Sequence, residues 1–461
     1  MAKNIDIVIK KVLKKIRPSV EEQRRVKELS KMIMKAGRKF SDIYGMKPML
    51  CGSVAKNTWL LPAELDLFLL FPENLPKKKL EEYGLKVAKD IIKEMKGKYK
   101  ISYSEHPYLT GVVKYRNSLY AIDIVPCYNI KGGIKKIKSA VDRTPYHVKY
   151  ILKNLKNPDE VRLLKKFCIA RECYGADLKV QGFSGYLCEL LVVKFGSFIN
   201  VVRNATQWRA GVFLGKGEKS LEFERSALIL PDPVDKNRNV ASALSIETFY
   251  RFVKSCKEFL KNPDESFFEK DAKKPYTISE IKNKIKSRGT TWYAIRFKKP
   301  DVGDDILYSQ MRKFLSRIRS MANEEEFKIF RIDFYVGSKY CVAVIEMETW
   351  MLPGLVKHVG PDVFSKHAEE FLKHYKQYNV FLEDNKWVVE YPRENKTFIE
   401  FLKQLLKGDL KKKGIPSRIA PALKYCEVFS GEKFIELVKK MPESFRVFMR
   451  EYFEKNLNVS D

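Results

Sequence analysis

At 461 residues the chain is too long for one hydrophobic core, and several domains are expected. Its 45% hydrophobic content suits globular cores, while 88 Lys+Arg against 57 Asp+Glu leave a formal net charge of +31. That excess argues against an enzyme confined to small neutral metabolites and for a polyanionic partner. Nucleic acid is favoured over a membrane surface: no run of about 18 apolar residues occurs, and lysines interrupt Met1 to Lys15, so no signal peptide is expected. The basic residues are spread over the whole length. A cytoplasmic protein with no membrane partner is the expectation.

In chain order, the N-terminal stretch predicts helices: Pro18-Ser19 followed by Glu22 is a capping box, and apolar positions continue at helical spacing to about Tyr44. Lys47 to Cys51 reads as a strand feeding a Gly52-Ser53 turn. Leu65 to Phe71 is a dense apolar strand ended by Pro72, and Leu80 to Met95 is a helix stopped by Gly97. Strands follow near Lys100 to Ser104, Thr110 to Tyr115 and Tyr120 to Val125, the last two joined across Arg116-Asn117-Ser118. Together these predict an α+β catalytic head over residues 1–150.

From Asp159 the pattern turns helical. Asp159 is expected to cap a helix running to Cys173, with Gly175 just past its end. Gly182 to Phe195 predicts a second, strongly apolar helix. Pro231 to Asn239 reads as a loop carrying Asp232, Asp235 and Arg238. Residues 151–265 form a predicted helical neck, followed by a boundary within Asn262 to Pro275.

Thr277 to Glu280 is another capping box. Thr291 to Phe297 predicts a strand, and Asp305 to Arg319 a helix with Leu307, Met311, Phe314 and Ile318 on one face. Phe327 to Val336 and Tyr340 to Met347 predict a hairpin across Gly337-Ser338. Pro361 to Tyr375 reads as a helix and Trp387 to Tyr391 as a final strand. This order is that of a ferredoxin-like domain, the frame of RNA-recognition modules, over residues 276–392. The remainder, 393–461, is a mostly helical tail with a Lys411-Lys412-Lys413-Gly414 run. The eight cysteines lack a CxxC pair and read as buried thiols in a reducing compartment rather than as zinc ligands.

The chemistry concentrates in the head. Glu64 and Asp66, at i and i+2 of a strand, point to one face. Asp123 stands between Ile122 and Ile124, where an uncompensated charge is costly. Three carboxylates after a Gly-Ser turn suit two Mg2+ ions, or Mn2+, over a nucleoside triphosphate.

Gly52-Ser53, Glu64-Leu65-Asp66 and Asp123 resemble the signature of the polymerase-beta nucleotidyltransferase superfamily. More narrowly, Gly52 to Leu60, Ile124-Val125-Pro126-Cys127-Tyr128, Ser139 to His147 and Phe183 to Leu190 are similar to the archaeal CCA-adding enzymes, the tRNA nucleotidyltransferases. Asp232-Pro233-Val234-Asp235 with Arg238-Asn239-Val240-Ala241 continues the likeness. The resemblance implies a head, neck, body and tail and the addition of C, C and A to tRNA 3′ ends from CTP and ATP without a template.

By the same resemblance, Glu64, Asp66 and Asp123 ligate the metals. Ser53 and Lys56 hold the triphosphate with His147, Lys165 and Tyr174; Thr144 lies close to the nucleotide, and Arg238 contacts the base. Independently of the resemblance, Lys165 lies on a predicted helix whose other face, Val161, Leu164 and Cys168, packs inward, so its ammonium is expected to be free for a phosphate. The resemblance also suggests a homodimer. The tRNA acceptor arm is assigned to the body and tail, through groups such as Arg296, Lys298 and Lys299. Trp292 and Tyr293 are candidates for stacking on RNA, although alternate strand residues are more often core. Rival readings are a poly(A) or other RNA 3′-terminal nucleotidyltransferase, or a non-catalytic RNA-binding protein of the same fold.

Overall fold

The computed structural model describes residues 2–103, 106–131, 137–215, 225–270 and 273–454. Met1, Ser104, part of the expected linker and the end of the expected tail lie outside them. Two compact units are present, Met1–Asp271 and Ala272–Asp461.

In the first unit, β1 (Lys47–Cys51), β2 (Glu64–Phe71), β3 (Lys98–Tyr103), β4 (Pro107–Tyr115) and β5 (Ser118–Tyr128) form one sheet, ordered β1-β2-β5-β4-β3. β2 and β5 are parallel; the other pairs are antiparallel. Strand alternation sends Leu65, Leu67, Leu69 and Phe71 into a core under helices Val20–Arg38 and Lys77–Glu94. Phe68 and Leu70 turn to the opposite face with Cys51 and Cys127. The capping box at Ser19 and Glu22 forms as expected. Arg116 and Asn117, both at positive φ, turn the β4–β5 hairpin.

A second core gathers helices Pro158–Ala170, Gly185–Phe195, Phe198–Ala205 and Ile246–Lys261 around Phe167, Phe198, Phe252, Phe259 and Phe268. Each fully buried ring contributes roughly 1.5–3 kcal/mol. The N-terminal helix Ala2–Ile16 joins this core through Ile5, Val8 and Val12, although the sheet follows it in sequence. A parallel pair, β6 (Val212–Phe213) and β7 (Leu228–Ile229), lies between these helices in sequence.

Two expected helix starts move. Asn157, not Asp159, caps Pro158–Ala170: its side-chain oxygen accepts from the Asp159 N–H at 3.0 Å, because Pro158 already occupies the first helical position. The next helix begins at Gly185 under Ser184, while Phe183 bridges to Tyr174. Among the described residues no single helix is long and apolar enough to cross a membrane. The pair Gly185–Phe195 and Phe198–Ala205 has the composition jointly but is bent by 92°. All eight cysteines are free thiols, seven of them buried.

The second unit is built on β8 (Thr291–Lys298), β9 (Lys328–Val336) and β10 (Tyr340–Thr349). A second sheet holds β11 (Leu355–Asp362), β12 (Asn379–Glu383) and β13 (Lys386–Pro392), and β14 (Glu427–Ser430) completes the first in the order β14-β8-β10-β9. All its pairs are antiparallel, and fourth-first-third-second is the ferredoxin-like order. The fourth strand therefore comes from the expected tail. Trp387 to Tyr391 lies instead in β13, at the centre of the three-stranded sheet. The expected helix over Pro361 to Tyr375 shrinks to Ala368–His374, because 355–362 pairs with β13. Backbone pairing here overrides local propensity.

Both faces of the larger sheet are covered. Tyr293, Ile295 and Phe297 pack with Asp304–Glu324 and Phe398–Leu405; Trp292 and Ala294 pack with Ile278–Arg288, Glu432–Lys440 and Glu443–Phe453. Trp292 and Tyr293 are 2% and 4% exposed, so both are core residues and neither presents a ring for RNA stacking.

Candidate functional site

The register of the two parallel strands sets the site. Asp66 on β2 stands directly opposite Asp123 on β5, on strands about 4.8 Å apart. Glu64 lies two residues earlier on the same face, more exposed than either aspartate. Burial and the charges of Asp123 and Glu64 push Asp66 up to about 6, against the opposing pull of Lys56 and Lys165. Burial also raises Asp123, with the Thr110 hydroxyl and Lys100 working the other way.

Gly52 makes the close approach possible. Its φ is +62°, and a Cβ there would fall 1.7 Å from Asp66 Oδ2. Ser53 follows in the helical turn Gly52–Ala55, so the phosphate-binding turn expected from sequence abuts the acids.

Among the described residues no three carboxylate, His or Cys groups converge closely enough to form a ready-made metal cage. The two-residue rise along β2, about 6.7 Å, separates Glu64 from Asp66. The donor set nevertheless fits a hard divalent cation: oxygen-only ligands, like charges crowded on one face, and an aspartate whose ionisation is suppressed without a counter-charge.

Beside the acids lies a buried polar network. Glu189, 0% exposed, accepts from Lys56 Nζ at 2.5 Å and from Thr58 Oγ1 at 2.6 Å. Lys165 Nζ reaches Glu189 at 3.5 Å and donates to the Thr58 carbonyl and hydroxyl oxygens, both at 3.1 Å. Lys165 is thus not the free ammonium expected from its helix. Its helix is buried on nearly every side, and burial lowers its proton affinity while Glu189 raises it. Two lysines share one carboxylate, leaving one net positive charge in a poorly hydrated place. Tyr174 is close by: a Cβ on Gly185 would lie 3.0 Å from its hydroxyl and 3.6 Å from Lys165 Nζ. Burial raises the Tyr174 phenol.

A second hub continues the line. Asp232, fully buried, takes His147 Nε2 at 2.8 Å, Arg238 Nη1 at 3.0 Å, the Tyr186 hydroxyl at 3.1 Å and the Val234 N–H at 3.0 Å. Burial alone would raise this carboxyl, but His147, the Val234 N–H and Arg238 together bring it below the ordinary range. His147 stacks on Tyr186 with ring centroids 3.9 Å apart, and Lys56 Nζ lies 5.9 Å from the centre of the same ring. Arg238 is therefore held by its own loop. Thr144 opens the helix carrying His147, just after Arg143, whose Nε donates to Asp235 at 2.8 Å.

Ser53, Lys56, Glu64, Asp66, Asp123, Lys165 and Tyr174 are thus tied together by register, contact or mutual electrostatics, and His147 and Arg238 join through Tyr186 and Asp232. Glu189, Thr58 and Tyr186 were given no role from sequence, and Asp232 was named only as a residue of the Arg238 loop. Glu189 could have been singled out, since a lone acid among Leu187, Cys188, Leu190 and Leu191 demands a buried partner. In the second unit, Arg296 donates to Glu427 from Nε at 2.7 Å and lies over Tyr340. Lys299 donates to Asp304 at 3.1 Å, and Lys298 is exposed.

Residues 159–269 match the family described as tRNA nucleotidyltransferase, second domain, and residues 288–431 the CCA-adding enzyme, C-terminal domain. A protein named CCA-adding enzyme from Archaeoglobus fulgidus is 36% identical over 442 residues, covering 94% of this chain and 96% of that one. Its namesake from Methanocaldococcus jannaschii is 38% identical, covering 90% and 94%. That of Methanosarcina mazei is 35% identical, covering 96% and 97%.

Proposed function

This chain belongs to the family of CCA-adding enzymes, and from that premise we propose that Glu64, Asp66 and Asp123 carry the nucleotidyl transfer and that the Lys56–Glu189–Lys165 network receives the triphosphate. The enzyme adds C, C and A to the 3′ end of tRNA without a nucleic-acid template. The observation that carries the residue assignment is the register of Asp66 against Asp123, with Glu64 on the same face.

In the reaction, the terminal ribose hydroxyl of the tRNA attacks the α-phosphorus of CTP or ATP, and pyrophosphate leaves. Enzymes of this class use divalent metal ions; here Glu64, Asp66 and Asp123 would hold two Mg2+ ions, with Mn2+ as a substitute, supplying counter-charge to the triphosphate and a more acidic attacking hydroxyl. The remaining work falls to the chain. Asp66 and Asp123 fix where that charge sits, because each is set in a paired strand. Lys56 and Lys165, held in low dielectric, stabilise negative charge developing on the departing phosphates. Ser53 lies three residues before Lys56, in the turn after β1.

His147, Tyr174, Thr144 and Arg238 complete the nucleotide site in this reading. His147 and Arg238 are aimed by Asp232, and the Tyr186 ring stacked on His147 stiffens that wall. The positive charge of the whole chain, +31, matches a phosphate-rich acceptor arm, whose binding releases counterions. A head, neck, body and tail division, a homodimer and a cytoplasmic setting without membrane attachment belong to the same reading.

The test supplies tRNA lacking its 3′ end together with Mg2+ and labelled CTP or ATP separately. CTP incorporation is expected to stop after two additions, and ATP to be used once afterwards. A ladder of adenylates would overturn the assignment in favour of a homopolymer-forming enzyme.

A further inference from the structure

A polar cavity of about 750 Å³ opens where β2 and β5 end. Tyr128, at the end of β5, stands five residues beyond Asp123, roughly 16 Å along the strand. The cavity is therefore distinct from the acids. Among the described residues its lining includes Lys77, Lys138, Arg143 and His106 and no acidic side chain.

Helix Lys77–Glu94 begins at this wall. Pro76 precedes it and no side chain caps it; its first turn carries no acid but a Lys77-Lys78-Lys79 run. Like charges at the positive end of a helix are unfavourable. An anion seated there relieves both the dipole and the lysines.

His106 supplies an independent observation. It is 5% exposed, its Nδ1 lies 3.3 Å from Glu81 Oε1, and its Nε2 is buried without a partner. A buried ring nitrogen with no partner is destabilising unless a ligand meets it. Glu81 also lies 3.9 Å from Lys77, so it orients the wall without facing the cavity as a lining group. Lys138 Nζ donates to the Glu73 carbonyl at 2.6 Å and sits 4.9 Å from the centre of the Tyr128 ring. That leaves its charge uncancelled by any carboxylate at that contact. Arg143 pairs through Nε with Asp235, leaving its remaining N–H groups as donors.

We propose that this cavity binds a phosphate group. Several convergent N–H donors, an uncapped helix start and a half-satisfied histidine suit a tetrahedral oxyanion with more than one acceptor. The phosphate has two available sources: a backbone phosphodiester of bound RNA, or a free inorganic anion such as pyrophosphate.

The experiment uses the full chain with its histidines labelled at Cε1; there are five, and His106→Gln assigns the resonance of interest. Inorganic pyrophosphate and, separately, a short single-stranded RNA without terminal phosphates are titrated in. A saturable shift of the His106 signal, weakened about tenfold in Lys138→Gln, is expected. A shift with pyrophosphate identifies a free anion, and a shift with the RNA alone identifies a backbone phosphate. No saturable shift with either probe, or one unchanged in Lys138→Gln, overturns the proposal. His147 reports on the triphosphate site in the same spectra. Failure of CTP incorporation by the parent protein would count against the assigned reaction and leave the His106 result standing.

Discussion

Gly52→Ala separates folding from catalysis. The substitution has two costs of different kind. The first is conformational: a φ of +62° charges an L-residue roughly 1–2 kcal/mol. For a unit of this size that lowers Tm by about 2–4 °C per kcal/mol. The second is local. The new Cβ would stand 1.7 Å from Asp66 Oδ2 and 2.5 Å from Cγ, where real contacts begin near 3.0 Å. The carboxylate must therefore swing by more than an ångström. Such a swing is inexpensive for a side chain but ruinous for a metal ligand, since a misplacement of about 1 Å costs on the order of 100-fold in rate. Thermal unfolding and single-turnover CTP incorporation on truncated tRNA should thus disagree: a fold nearly intact, and turnover reduced at least about 100-fold. Turnover within about threefold of the parent would refute the placement of Asp66 against Gly52.

Other outcomes follow from the same geometry. Glu189→Ala strands two buried ammonium groups and should cost about 3–5 kcal/mol; a nucleoside triphosphate should restore more of the lost Tm than it adds to the parent, and equal increments would argue against phosphate binding at those lysines. In the metal-free protein Asp66 titrates at about 6 rather than 3.8, so the folded state retains a proton that the unfolded chain has lost. Its contribution to stability must then fall as pH rises through that window, by up to ~3 kcal/mol at 1.36 kcal/mol per unit. Urea melts of the parent and Asp66→Asn without divalent ions check this; a difference between them that does not change with pH would contradict it. Asp123→Asn should abolish turnover while tRNA affinity, measured by filter binding, changes less than about threefold; a parallel loss of binding would make Asp123 a folding residue.

The acids were legible because strand alternation is local: Glu64 and Asp66 share a face whatever the strand pairs with, and Ile122 and Ile124 mark Asp123 as the odd residue out. Capping boxes at Ser19 and Thr277 were legible for the same reason, each being closed within four residues. Glu189 was not, because its partners Lys56 and Thr58 are 133 and 131 residues away. Lys165 was misjudged because helical spacing shows one apolar face but not that neighbouring elements close over the other. In the second unit, the four-residue strand Glu427–Ser430 carries too little pattern to reveal itself. The more strand-like Trp387 to Tyr391 pairs within a sheet of its own.

That separate sheet enters and leaves its host through a narrow, hydrogen-bonded stem. Leu352 N–H reaches the Lys396 carbonyl and Phe398 N–H the Trp350 carbonyl, each at 2.9 Å, flanking the bridge between Met351 and Thr397. Because the two ends of the excursion are clamped side by side, and Arg393 at its exit ties back to the Glu325 carbonyl and the Glu326 carboxylate, the ferredoxin-like scaffold is closed independently of what hangs beyond that stem. Lengthening, trimming or exchanging that appendage alters the loop-closure entropy only slowly with length. It is the point at which this architecture can be remodelled by natural variation, or by grafting, without disturbing the strands beneath.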